Sequence, residues 1–193
     1  AFTPDEEVGL KGAKAMDLSL FPVDWGYTID CQEKGEVVWE TFNAGKVSIK
    51  IQGVSAHPMS SKGVLVNPIL LAHSIISLLP EKERPENTEG KEGFIWVKGI
   101  KGDSSKAELS LLIRDHDKRK YEEKKSIIIK AIEETLERNP RGKIEYEIED
   151  TYSNLIESMD RNNRIAVDNL RAALKANGIE EKILAMRGGT DGS

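Results

Sequence analysis

Between Asn43 and Asp150 the apolar residues switch repeatedly between two spacings, and that switching allows few folds. KVSIKIQG places Val47, Ile49 and Ile51 at every second position, the period of a strand with one buried face. VNPILLAHSIISLLP then carries Ile69, Leu70, Ile76 and Leu79 at helical spacing. Asn67 stands where a helix wants an N-cap, and Pro68 follows at the first position, which suits its fixed φ and missing N–H. FIWVKGI and AELSLLIRD return to strand character, and GDSS between them is a hairpin signal. A longer helix is predicted over 118–138, with Ile128, Ile132 and Leu136 four apart and Asn139, Pro140 and Gly142 to stop it. KIEYEIED closes the series with Ile144, Tyr146 and Ile148 alternating with glutamates.

The order is strand, helix, strand, strand, helix, strand. It predicts an α+β, ferredoxin-like domain over 43–157, with a four-stranded antiparallel sheet and two helices on one face. The flanks read differently. WGYTIDC and GEVVWETF look like strands and LKGAKAMDL like a short helix. Asp160 can cap a helix through RNNRIAVDNLRAALKAN that ends at Gly178, and KILAMR reads as one more strand. Residues 1–42 and 158–193 are therefore expected to be two pieces of a second domain, interrupted by the first. Because the chain opens inside what reads as a strand end and stops just after RGGTDGS, we expect an internal piece of a longer protein.

Composition removes several function classes. The chain holds 33 acidic residues against 28 basic ones, a net charge of −5, which argues against a nucleic-acid partner. A single cysteine, Cys31, rules out a disulfide framework within the chain and points to a reducing cytoplasm. PILLAHSIISLLP is too short to span a membrane and contains His73, and no signal peptide opens the chain.

The adjacent carboxylates Glu6 and Glu7 carry no weight as a pair, because so acidic a chain produces such pairs by chance. Their surroundings carry more. FTPDEEVG, GYTIDC, ETFNAGKVSIKIQG, AHPMSSKGVLVNP, LLIRDHD, DTYSN and RGGTDGS resemble, in order and across nearly the whole chain, blocks of the peptidase T family. Those are the tripeptide aminopeptidases of the wider dizinc aminopeptidase and carboxypeptidase family.

The resemblance implies roles. Glu6 matches the general base and Glu7 a ligand of one zinc. Asp30 matches a ligand of the other zinc, although Cys31 and Gln32 stand where the family has glycine. His57 matches a histidine that reaches the scissile carbonyl and helps stabilise the oxyanion. Arg114 matches an arginine that binds the substrate carboxylate, for which a planar fork is suited. Asn154 matches a weaker substrate contact. Arg187, Gly189 and Thr190 belong to a loop that closes over substrate, with glycine allowing close approach. Read without the resemblance, Arg114 is equally a surface partner for Asp115 or Asp117, and Cys31 is a small apolar residue or a thiolate ligand. His73 is expected to pack within its helix and His116 to be exposed.

The implied protein is a zinc aminopeptidase, with two zinc ions per full-length subunit, that removes the N-terminal residue of a tripeptide. The central domain is its lid and a candidate homodimer surface, and the flanks are parts of its α/β catalytic domain. The remaining ligands of the family site, two histidines and a bridging aspartate, match nothing within these residues. The chain alone is therefore expected to bind zinc poorly and to be inactive. The alternatives are a related dizinc deacylase or dipeptidase, and a non-enzymatic ferredoxin-like dimerisation module.

Overall fold

A computed structural model describes residues 2–4, 10–20 and 22–192. They fall into two compact units, one of Asn43–Thr151 and one of Ala1–Phe42 with Tyr152–Ser193. The continuous unit is α+β. Its elements are β2 (Asn43–Gln52), α2 (Pro68–Leu78), β3 (Phe94–Gly102), β4 (Lys106–Asp115), α3 (Lys118–Arg138) and β5 (Lys143–Tyr152). The split unit holds α1 (Lys11–Lys14), β1 (Glu36–Glu40), α4 (Arg164–Ala176) and β6 (Lys182–Ala185).

In the continuous unit the antiparallel sheet runs β3-β4-β2-β5, the ferredoxin-like order that the alternating periods predict. The register pairs Val47 with Leu111, Ile49 with Leu109 and Ile51 with Ala107. All six point to the same face and are almost completely buried. Leu71, Ala72 and Ile75 of α2 and Ile128, Ala131 and Ile132 of α3 close over them as one hydrophobic cluster. Asn67 caps α2, its Oδ1 accepting from the Ile69 N–H at 3.0 Å. Asp117 caps α3 in the same way, accepting from the Lys120 N–H at 3.1 Å.

The buried stripe of α2 differs from the one read in the sequence. It runs through Pro68, Leu71, Ala72 and Ile75, while Ile69 and Leu70 are exposed and His73 faces solvent. Eight of the eleven residues of α2, counting Pro68, are apolar and they occur on more than one side of the helix, so residue type alone does not say which side meets the sheet. His116 departs in the opposite sense. It follows β4 directly and is buried, and its carbonyl accepts from the Asn43 side chain at 3.3 Å.

The split unit has a two-stranded parallel sheet. Val37 of β1 lies opposite Ile183 of β6, and Val38 opposite Leu184. The stretch 25–31, read as a strand, is not one. Its alternation is genuine, but a strand exists through a partner ladder, and among the described residues none runs beside it. Among the described residues no helix is long and apolar enough to cross a membrane.

Candidate functional site

Glu6 and Glu7 lie outside the described residues. Asp30 is exposed and lines a cavity of about 490 Å³ in the split unit. Trp25, Tyr27, Trp39 and Met186 give that cavity apolar walls, and Thr190 and Gly192 bring the end of the glycine-rich loop to it. The structure thus gathers Asp30 and Thr190 around one space. Cys31 stands beside Asp30, and its thiol pKa is raised by partial burial and by the negative charges of Glu36 and Asp30. A raised pKa keeps the sulfur protonated at neutral pH, the opposite of what a thiolate ligand needs. Among the described residues no group of three or more His, Cys, Asp or Glu side chains could hold a metal ion.

The loop 187–192 is seated by backbone and aromatic contacts within the same unit. The Met186 N–H donates to the Glu40 carbonyl at 2.9 Å, and the Phe42 N–H donates to the Gly188 carbonyl at 3.2 Å. The Arg187 guanidinium lies over the Phe42 ring, 5.3 Å from its centroid. Gly189 packs so closely on Tyr152 that a Cβ there would stand 2.6 Å from the ring's Cζ. Thr190 is buried and its hydroxyl accepts from the Gly192 N–H at 3.1 Å. Asn154 is 1% exposed. Its Oδ1 accepts from the Thr41 N–H at 2.8 Å and from the Ile156 N–H at 3.2 Å.

His57 and Arg114 belong to the continuous unit. His57 is exposed and caps the short 3-10 helix Pro58–Ser60, its Nδ1 accepting from the Met59 N–H at 3.3 Å. With Nδ1 as the acceptor, the neutral ring carries its proton on Nε2 and presents a donor. The Arg114 guanidinium donates to the carbonyls of Ile113 at 2.9 Å and Gly45 at 3.4 Å. Asp115 serves a different cation. Its carboxylate is buried and lies 2.8 Å from Lys124, which Glu83 also approaches to 2.8 Å. This trio was missed in the sequence. Its signal was there, because Lys124 falls three residues after Tyr121 and four before Ile128, on the buried stripe of α3.

Known proteins complete the picture. The sequence pattern of the peptidase dimerisation domain matches residues 39–140. A peptidase T-like protein of Rhizobium meliloti is 52% identical over all 193 residues, and a peptidase T of Fusobacterium nucleatum is 40% identical over the same stretch. The chain spans about half the length of the curated relatives it matches, 47% of the first and 46% of the second. A crystal structure of a tripeptidase from Staphylococcus aureus superposes with a TM-score of 0.81 at 25% identity, over 99% of this chain and 50% of that one. The chain belongs to the M20 family of peptidase dimerisation domains.

Proposed function

We propose that this chain is part of a peptidase that removes the N-terminal residue from tripeptides. The observation that carries the reading is the end-to-end match of all 193 residues to proteins named peptidase T or peptidase T-like. In this reading the split unit is part of the catalytic domain and the continuous unit is its lid. In the full-length subunit Glu7 and Asp30 would be among the ligands of two zinc ions, which would supply an activated water. What the chain's own residues add is proton transfer and positioning. Glu6, not ligating metal, takes the proton of the attacking water and passes it to the leaving amine. His57 offers its Nε2–H to the developing oxyanion. Arg114 pairs with the substrate's C-terminal carboxylate. The 187–190 loop lines the substrate. The continuous unit pairs two chains into a homodimer, as the name of its family suggests. A reducing cytoplasm suits the exposed single thiol.

The test uses the full-length protein with tripeptides, dipeptides and acylated amino acids. Tripeptides should be the preferred substrates, and a preference for acylated amino acids would instead indicate a deacylase. Glu6→Gln should keep its metal and lose roughly 10²–10⁴ in turnover, whereas Glu7→Gln should lower zinc occupancy. Arg114→Ala should weaken use of free tripeptides far more than of their C-terminal amides, which offer no carboxylate. Equal losses on both would leave the arginine a structural residue. Light scattering of the full-length protein should give twice the subunit mass, and a monomer at all concentrations would remove the dimer from this reading.

A further inference from the structure

The glycine-rich loop is built onto two aromatic residues at special places in the chain. Phe42 is the last residue of the split unit before the chain leaves it, and Tyr152 is the first after it returns. Phe42 holds the Gly188 carbonyl and the Arg187 guanidinium, and Tyr152 takes the face of Gly189. The residues next to them are tied to each other. The Thr41 N–H donates to Asn154 Oδ1 at 2.8 Å, and the Leu155 N–H donates to Thr41 Oγ1 at 3.1 Å. The two bonds run in reciprocal directions between segments 113 residues apart in sequence. Both side chains are buried, Thr41 at 0% and Asn154 at 1% exposed. A buried donor left without its acceptor is costly, so this clasp holds the spacing of the two segments firmly.

We propose that Thr41 and Asn154 are positioning residues, and that their clasp fixes the seat on which the 187–190 loop rests. Its link to catalysis rests on the reading that this loop meets substrate. Asn154 then acts through Thr41 and Phe42. Its Oδ1 carries two backbone N–H bonds and serves the loop by placing the segment beneath it.

Amide hydrogen exchange on this chain tests the clasp without any activity. Phe42 and Met186 are the reporters, since their N–H groups make the bonds that border the loop. Thr41→Val keeps the shape and removes the hydroxyl acceptor. The Leu155 N–H loses its acceptor, and the loosened clasp should speed exchange at both amides about tenfold. Leu109 and Leu111 of β4 should be unaffected. Thr41→Ser restores the acceptor and should restore slow exchange. Asn154→Asp keeps Oδ1 and should stay within about twofold of the parent at Phe42. Adding Asn154→Ala to Thr41→Val should speed exchange by less than the two single changes combined, because they break one clasp. Unchanged exchange at Phe42 and Met186 in Thr41→Val would overturn the proposal. So would an equal rise in β4, or a serine variant as fast as the valine. In the full-length protein Thr41→Val should raise KM for tripeptides more than it lowers kcat. If the exchange pattern holds while tripeptide kinetics do not change, the clasp stands and the loop's role in substrate binding falls.

Discussion

Lys124 shows how a charge can belong to a core. Its ammonium is buried beneath α3, held 2.8 Å from Asp115 and 2.8 Å from Glu83. Burial by itself lowers the lysine pKa, but the bonds from the two carboxylates outweigh it and the net direction is upward. A folded-state pKa above the unfolded value means that this contribution is whole below about pH 10. It is lost as pH rises through the folded value. Lys124→Met should therefore lower stability at pH 7 by about 3–5 kcal/mol, because Asp115 stays behind as an unpaired buried charge. The variant should also lose less stability than the parent as pH rises above about 10. Denaturant unfolding at several pH values checks both statements. A loss under about 1 kcal/mol at pH 7 would mean that water reaches the Asp115 carboxylate.

Elements were legible wherever their signals were local. The cap Asn67, the strict alternation of β2 and the glycine and proline after α3 each determine their surroundings within a few residues. The stripe of α2 was not legible, since its eight apolar residues occur on more than one side of the helix and the sheet selects Leu71, Ala72 and Ile75 among them. The segment 25–31 failed for a related reason, because alternation reports a preference and only a neighbouring strand realises it. The candidate site divides along the same line. Asp30 and the loop were named only through the resemblance of their sequence blocks, whereas the Thr41–Asn154 clasp joins residues 113 apart that no local spacing links. The β3–β4 turn offers a test at this scale. Asp103 Oδ1 accepts from the Ser105 hydroxyl at 2.6 Å, the Ser105 N–H at 2.8 Å and the Lys106 N–H at 3.1 Å. Those bonds, the serine's first, pull its pKa down to about 2. The turn's support from Asp103 is present above the unfolded carboxylate value near 3.9. It should fade as pH falls from about 4 through 2. An NMR titration of the Asp103 carboxylate should find its midpoint at about 2. An ordinary carboxylate midpoint would show that the turn bonds do not form in solution.

The two units differ in how much they bury. Every member of the large hydrophobic cluster lies in the continuous unit. In the split unit Leu18, Leu20, Ile29, Ile183 and Leu184 remain exposed, which fits a chain that covers less than half the length of its curated relatives. Native-state exchange should accordingly be slowest in β2, β4 and α3 and at least about a hundredfold faster in β1 and β6. Equal protection in both sets would mean that the parallel pair is stabilised by more than its described contacts. The full-length protein should slow exchange in β1 and β6 while leaving β2 and β4 nearly as they are.

The pairing of β1 with β6 also sets an order of events during synthesis. Glu33 meets Lys182 across 149 residues of chain, so the parallel pair cannot begin until almost all of this chain has been made. By then β2 through β5 have long been available, and their sheet places its first and last strands side by side. Once that sheet has formed, the loop that β1 and β6 must close consists only of the flanking residues. Loop closure costs about 0.6 kcal/mol for each doubling of length, so folding the middle first spares roughly 1 kcal/mol and most of the search. The continuous unit is in this sense a clamp on its own flanks. Slowing it with a core change such as Ile49→Ala should delay β1–β6 pairing by the same factor in a refolding experiment, although Ile49 belongs to neither strand.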